Sequence, residues 1–222
     1  MTAPSPSEAT RLKTRHREVV ERHTEPSRVR LHRAISWLGR AESETHDDDA
    51  RFIFQWIAFN AAYARELGFE TPERDRLRDF FALACSADAG GQLHRALFDR
   101  FSGSIRTLIE NKFVFEPFWR ALREHDSSDR WRVQFDGGRK AAMSSLLAGD
   151  CPAVLGIVFD RLYVLRNQLV HGGATWNSSV NRAQVRDGTA ILAALLPILI
   201  ETMLDHPELE FGSVLYPVLE SP

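Results

Sequence analysis

Residues 152–173 read PAVLGIVFDRLYVLRNQLVHGG, and this stretch predicts one long helix with both of its ends marked. Pro152 suits the first turn of a helix, because its φ is already helical and it lacks an N–H that would need a partner. Gly172 and Gly173 suit the position where a helix stops. At about 100° per residue, the apolar residues gather into one stripe, formed by Leu155, Val158, Leu162, Leu165 and Leu169.

The chain on either side of this stretch is also predicted to be helical. A last long helix runs from about Ser179 to Leu204, with a kink just before Pro197. Shorter helices are predicted over residues 92–101, 104–109, 116–124 and 139–147. Residues 125–138 are predicted to be a loop with some extended structure at 131–135, ending at Gly137 and Gly138.

Three helices are predicted nearer the N-terminus. The first has a stripe at helical spacing, made of Leu31, Ala34, Ile35, Leu38 and Ala41. Asp47–Asp49 provide caps and first-turn acids for the second, which runs to about Leu67 and is aromatic on more than one face. Thr71, Pro72 and Glu73 then mark the start of the third.

The helical pattern determines the predicted fold class and its limits along the chain. No internal repeat, sustained heptad or alternation of strand and helix is visible, so we expect an all-α protein with a single helical bundle. Residues 1–27 are expected to be a mobile N-terminal segment with room for a short helix, and residues 28–206 to be the helical domain. Residues 207–222 are expected to form an acidic C-terminal tail.

Composition excludes some classes of protein. With 222 residues, 44% of them hydrophobic, the chain can bury a core, and disorder over most of its length is excluded. The 28 basic and 30 acidic residues argue against a large basic surface that coats nucleic acid. The charge is nevertheless polarised, because residues 1–40 hold nine basic and four acidic residues, whereas residues 187–222 hold six acidic and no basic ones.

The sequence also predicts the compartment. Two cysteines, Cys85 and Cys151, are too few for a disulfide framework, and residues 1–27 contain no apolar signal region. The longest apolar run, Ala190–Ile200, has 11 residues, whereas a membrane span needs about 20. We therefore expect a soluble, cytoplasmic protein without a membrane partner. No phosphate-binding loop, zinc-ligand spacing or serine elbow is visible, so no cofactor and no metal are expected.

The polar residues near the end of the long helix are the candidate site. Arg166 lies roughly 60° from the centre of the apolar stripe, and Asn167 and His171 lie roughly 160° away on the opposite side. Apolar residues border this opposite side as well, which predicts a second packed surface: Ile157, Phe159, Tyr163, Val164 and Val170. A purely structural reading is also open, in which Asn167 bonds a backbone carbonyl and His171 only caps the helix.

The stretch Arg166-Asn167-Gln168-Leu169-Val170-His171 resembles the Arg-Asn-x-x-x-His motif of HEPN domains, a family of helical domains named for higher eukaryotes and prokaryotes nucleotide binding. Residues 56–63, WIAFNAAY, are similar to the tryptophan-rich early helix of several bacterial members. The resemblance covers about Ala50–Tyr63 and Ala153–Leu204. It implies a HEPN-like core within residues 28–206.

The resemblance also implies an activity, that of a metal-independent endoribonuclease which works as a homodimer with its two motifs facing each other. Cleavage of RNA through its 2′-hydroxyl needs a base, an acid and positive charge on the phosphate. Histidine can be base or acid, and arginine can hold phosphate oxygens. We therefore expect His171 to be the acid or a charge stabiliser, Arg166 to hold the phosphate, and Asn167 to orient His171 or the substrate.

The resemblance is compatible with more than one function. A ribonuclease of this kind is expected to be a toxin or a defence effector, with an antitoxin or another partner protein. The alternative is a non-catalytic HEPN-like module that binds RNA, a nucleotide or a protein, which the near-neutral charge favours. A third reading is an unrelated helical scaffold that carries the motif by chance.

Overall fold

The computed structural model describes residues 6–63, 73–209, 211, 214 and 216. Within these residues the chain forms helices and no β-strand, which confirms the all-α prediction. The helices are α1 (Glu8–Val19), α2 (Glu25–Ser43), α3 (Asp48–Tyr63), α4 (Glu73–Ala87), α5 (Gln92–His94), α6 (Ser102–Glu110), α7 (Glu116–Arg123), α8 (Arg130–Ala148), α9 (Cys151–Val170) and α10 (Arg182–Asp205). A π-helical turn, Arg95–Arg100, follows α5, and 3₁₀ turns occupy Val20–Arg22 and Lys112–Val114. Thr71 and Pro72, the predicted start of the third helix, lie outside the described residues.

A cluster of aromatic rings lies at the centre of the core, where α3, α4 and α9 meet. The ring of Phe159 on α9 lies 4.2 Å from that of Phe59 on α3 and 4.9 Å from that of Phe81 on α4, measured between centroids. Trp56 packs against the same Phe159 ring at 6.1 Å. Most rings of the predicted aromatic helix are therefore buried, and α9 is held at the middle of the fold.

The predicted stripe of α2 is also buried. All five of its residues are at most 5% exposed: Leu31, Ala34, Ile35, Leu38 and Ala41. They pack α2 against α3, and α3 in turn packs against α10.

The N-terminal segment, predicted to be mobile apart from a short helix, contains α1. Leu12 of this helix is fully buried in the core. Ion pairs join α1 to the end of α10, one between Arg11 and Glu201 and one at 2.9 Å between Arg15 and Asp205. The basic and acidic ends of the chain therefore pair within one molecule. Partly exposed pairs of this kind contribute only about 0.2–1 kcal/mol each.

The prediction of a loop over residues 125–138 is wrong for most of that range. A single helix, α8, runs through Gly137 and Gly138 and ends at Gly149, whose φ is +69°. Trp131 and Phe135 lie one turn apart on α8 and pack against Phe118 and Phe115, with ring centroids 5.0 and 5.3 Å apart. This anchoring to α7 and the turn before it outweighs the cost of two glycines in a helix, about 1 kcal/mol each.

The last helix, α10, is long and apolar enough to cross a membrane by length and composition, with a mean hydropathy of 1.6 over its most apolar window. Of that window, 67% is buried inside the protein. Core helices meet the same criteria, so this helix is weak evidence for a membrane span. Pro197 lies within α10 and is buried.

Gly188 lies where α10 crosses α3 and α9. A Cβ atom at this position would lie 2.9 Å from Cδ2 of Leu162 and 3.0 Å from Cε2 of Phe52. Both of those side chains are fully buried, so neither can move aside easily. The close approach of the three helices therefore depends on the absence of a side chain at residue 188.

Replacing this glycine should destabilise the protein through overpacking. We expect Gly188→Val to lower the free energy of unfolding by about 1–3 kcal/mol, measured by urea denaturation. Gly138→Val is the matched control, because a Cβ at Gly138 meets no atom of the described residues within 4 Å. A Gly188→Val variant as stable as this control would contradict the described crossing.

Candidate functional site

Helix α9 is fixed at its start by Pro152, which the sequence predicts there, and by a side-chain cap that the structure adds. The side chain of Asp150 accepts a hydrogen bond from the backbone N–H of Ala153 at 3.1 Å, and Pro152 lies in the first turn. The predicted stripe is buried at four of its five positions, with exposures of 0–1%: Leu155, Val158, Leu162 and Leu165. Leu169 is partly buried against the same core. The orientation of α9 about its axis is thereby set, and with it the directions of the motif residues.

The end of α9 is a Schellman turn that determines the backbone position of His171. The N–H of Gly173 donates to the carbonyl of Gln168 at 2.7 Å, and that of Gly172 donates to the carbonyl of Leu169 at 3.4 Å. Gly172 has a φ of +68°, which favours glycine. A Cβ at Gly173 would lie only 3.3 Å from the carbonyl oxygen of Gln168.

The glycine at residue 172 should therefore contribute measurably to stability. We expect Gly172→Ala to cost about 1–2 kcal/mol in the free energy of unfolding, because a Cβ is disfavoured at positive φ. Gly156→Ala on the same helix is the control and should be neutral or stabilising, because in the described part of the chain its Cβ meets nothing within 4 Å. Equal effects of the two substitutions in urea denaturation would argue against this turn.

The three predicted site residues lie together at the C-terminal end of α9. Arg166 is half-buried, and its Nη1 donates to Oδ1 of Asn167 at 2.9 Å. His171 is exposed, and its backbone N–H donates to the carbonyl of Asn167 at 3.0 Å. Within the described residues, the side chain of Asn167 therefore pairs with Arg166. The i, i+4 spacing had predicted that it lies beside His171.

The face of α9 opposite the core carries a mixture of apolar and polar residues. Tyr163 and Val170 are 43% and 49% exposed, and they lie on the same side of the helix as Asn167. The Tyr163 ring packs at 6.1 Å against Trp56. Phe159 and Val164, which the sequence also places at the border of this side, are buried within the chain. The apolar surface beside the motif is therefore smaller than the helical spacing indicates, and it centres on two residues.

The loop after the motif is attached to the start of α3. Trp176 Nε1 donates to Oδ2 of Asp47 at 2.8 Å, and the backbone N–H of Asn177 donates to Oδ2 of Asp49 at 2.7 Å. Arg182 forms an ion pair with Asp49. Asp47 also caps α3 by accepting from the N–H of Ala50, and this bond, followed by that from Trp176, lowers the pKa of its carboxyl group.

Sequence reasoning interpreted Asp47–Asp49 only as helix caps and missed that two of them hold the loop after the motif. The signal available was the number of acids, because a helix start needs one capping side chain and this one has three in a row. The loop displays Trp176, which is 75% exposed.

A second group of residues beside the motif comes from the turn before α7. Gln168 Nε2 donates to the carbonyl oxygen of Phe113 at 2.6 Å, and the same oxygen accepts from Trp119 Nε1 at 2.8 Å. Lys112 Nζ lies 5.2 Å from the centre of the Phe113 ring, which is 49% exposed. The sequence contains no signal for this contact, since 55 residues separate its two sides.

Among the described residues, no group of three or more His, Cys, Asp or Glu side chains could hold a metal ion. The side chains at this end of α9 are instead a cation, an imidazole and an amide, with exposed aromatic rings beside them.

Comparison with known proteins finds no match to this chain, whether among family models, curated proteins or solved structures.

Proposed function

We propose that this chain is a metal-independent endoribonuclease of the HEPN type, acting in the cytoplasm as a homodimer. The observation that carries the proposal is the placement of Arg166 and His171 at one end of α9, where both can be reached from solvent. The Schellman turn holds the backbone of His171 in a fixed position, and a fixed position is what acid–base chemistry requires.

The proposed chemistry assigns one role to each residue type. The 2′-oxygen of RNA attacks the adjacent phosphorus, a base removes its proton, and an acid protonates the departing 5′-oxygen. The products are a 2′,3′-cyclic phosphate and a free 5′-hydroxyl. Arg166 has five N–H donors, of which the bond to Asn167 uses one, so others remain for phosphate oxygens. Asn167 orients the guanidinium of Arg166, and His171 transfers a proton.

The surroundings of the motif support RNA as the substrate. Phe113 and Trp176 carry aromatic rings, and these two residues are 49% and 75% exposed. Unpaired bases stack on such rings, a contact worth about 1–3 kcal/mol per base. Lys112 adds a cation on the same side as Phe113. The rings favour a single-stranded segment, and Lys112 adds one local positive charge to a chain whose formal charge is −2.

The homodimer follows from the need for two proton-transfer groups. Each chain places one histidine at this helix end, whereas the reaction uses a base and an acid. Two copies meeting at the outer face of α9, around Tyr163 and Val170, would place both His171 side chains near one scissile phosphate. Both residues are partly exposed, so their side chains are available for such a contact.

A negative charge introduced into this dimer contact should separate the two chains and abolish RNA cleavage. We expect Tyr163→Glu to give a monomer by light scattering and to lose RNA cleavage by at least about 100-fold in the presence of EDTA. Leu147→Glu is the matched control, because Leu147 is 78% exposed on α8, and it should leave both properties unchanged. A monomeric Tyr163→Glu variant with full activity would contradict the dimeric mechanism.

A second candidate function is a non-catalytic HEPN-like module that binds RNA, a nucleotide or a protein partner. The near-neutral composition favours it, because 28 basic against 30 acidic residues do not provide the excess of positive charge that is typical of proteins acting along RNA. Such a module would bind RNA without cleaving it, even though Arg166 and His171 are both intact. An RNA that is retained on the protein and recovered uncut would therefore favour this candidate.

A further inference from the structure

The two cysteines of the chain, 66 residues apart in sequence, meet where α4 and α9 pack together. Cys85 lies in the last turn of α4, and Cys151 is the first residue of α9. Their Sγ atoms are 2.8 Å apart, with the Cys85 thiol donating to the Cys151 sulfur. Both side chains are free thiols, and both are partly exposed.

The environments of the two sulfur atoms differ. Cys151 begins a helix, where the unpaired N–H groups favour a thiolate. The hydrogen bond from Cys85 lowers the pKa of Cys151, against the opposing effect of burial. The same bond, followed by burial, raises the pKa of Cys85. Of the two sulfur atoms, Cys151 is therefore the one on which a thiolate is favoured.

We propose that Cys85 and Cys151 are a modification site that reacts with peroxide-class oxidants to form a reversible disulfide between α4 and α9. The Cys151 thiolate attacks one oxygen of the peroxide, so that a sulfenic acid forms and hydroxide leaves. Cys85 then attacks the sulfenic sulfur, and its proton leaves with the hydroxyl group as water. One peroxide is reduced to two water molecules, and two thiols are oxidised.

The geometry requires little movement for this reaction. A disulfide bond is about 2.05 Å long, so the sulfur atoms need to approach by less than about 1 Å. Asp88 and Asp150 lie near the pair, and their charges disfavour the thiolates. These charges lower the thiolate fraction and so slow the reaction with an oxidant, whereas a reducing compartment keeps the pair as two thiols.

The disulfide should stabilise the fold, because it closes a long loop in the unfolded chain and fixes the start of α9. We expect the oxidised protein to melt about 5–10 °C higher than the reduced protein. The inference does not depend on the proposed ribonuclease activity, since it concerns thiol chemistry and stability alone.

The test treats the reduced full-length protein with hydrogen peroxide and then measures free thiols, intact mass and melting temperature. The expected result is the loss of both thiols, a mass lower by two hydrogen atoms, a peptide containing Cys85 linked to Cys151, and full reversal by dithiothreitol. In a Cys85→Ser variant, Cys151 should stop at the sulfenic acid and be trapped by dimedone.

The matched control is Cys151→Ser, in which Cys85 should react at least about 10-fold more slowly than Cys151 does in Cys85→Ser, because its thiolate is disfavoured. Circular dichroism checks that both variants are folded. The proposal is overturned if peroxide leaves both thiols free in the folded protein, links two chains to each other, or oxidises each cysteine separately to sulfinic acid.

Discussion

The Arg166→Ala and His171→Ala variants are each expected to lose RNA cleavage by about 10²- to 10⁴-fold while they retain the wild-type fold. His171 is exposed and Arg166 is half-buried, so neither truncation opens a cavity in the core. The loss should appear in kcat, because a proton-transfer group and a phosphate-binding cation act mainly on the transition state. Initial rates on a fluorescent single-stranded RNA measure this loss.

Two exposed residues of the same types provide the controls for these variants. Arg186 has a 69% exposed side chain on α10, and His46 is exposed before α3. We expect Arg186→Ala and His46→Ala to cleave RNA at the wild-type rate. If all four variants keep the same activity, the cleavage comes from a contaminating nuclease and the assignment of the motif fails.

The largest effect on stability is expected for Phe159→Ala, which should cost about 3–5 kcal/mol in the free energy of unfolding. The Phe159 ring is fully buried and contacts rings from both α3 and α4. Its removal leaves a cavity where three helices meet, and the neighbouring aromatic rings are too rigid to fill it. Urea denaturation followed by circular dichroism measures the change.

Phe113→Ala is the matched control for this substitution, because that ring is 49% exposed. Its cost is expected to stay below about 1.5 kcal/mol. If Phe159→Ala were no more destabilising than Phe113→Ala, Phe159 could not lie at the centre of the core, and the packing of α9 would have to be different.

Local sequence was sufficient to predict the parts of the fold that local interactions determine. The apolar stripe and the glycines specify α9, because the spacing of its buried residues and the signals that end the helix both lie within some 20 consecutive residues. The same reasoning placed α2 and α10, and it brought Arg166, Asn167 and His171 to one helix end. The predicted start of α10 at Ser179 differs from the observed start at Arg182 because the loop residues before it are held by α3.

Contacts between distant parts of the chain determine what the sequence did not predict. Gly137 and Gly138 indicate a break, yet ring packing from Phe115 and Phe118 keeps α8 helical through them. The attachment of Trp176 to Asp47 and the 2.8 Å approach of Cys85 to Cys151 likewise join residues 129 and 66 positions apart. Side-chain periodicity contains no information on such pairs.

The decisive experiment for the proposed ribonuclease activity is to incubate the purified wild-type protein with single-stranded RNA in excess EDTA and to identify the new 3′ ends. We expect cleavage that EDTA does not reduce and fragments that end in 2′,3′-cyclic phosphate, with both absent for His171→Ala. Intact RNA, fragments ending in a 3′-hydroxyl, or cyclic ends that persist in His171→Ala would contradict it.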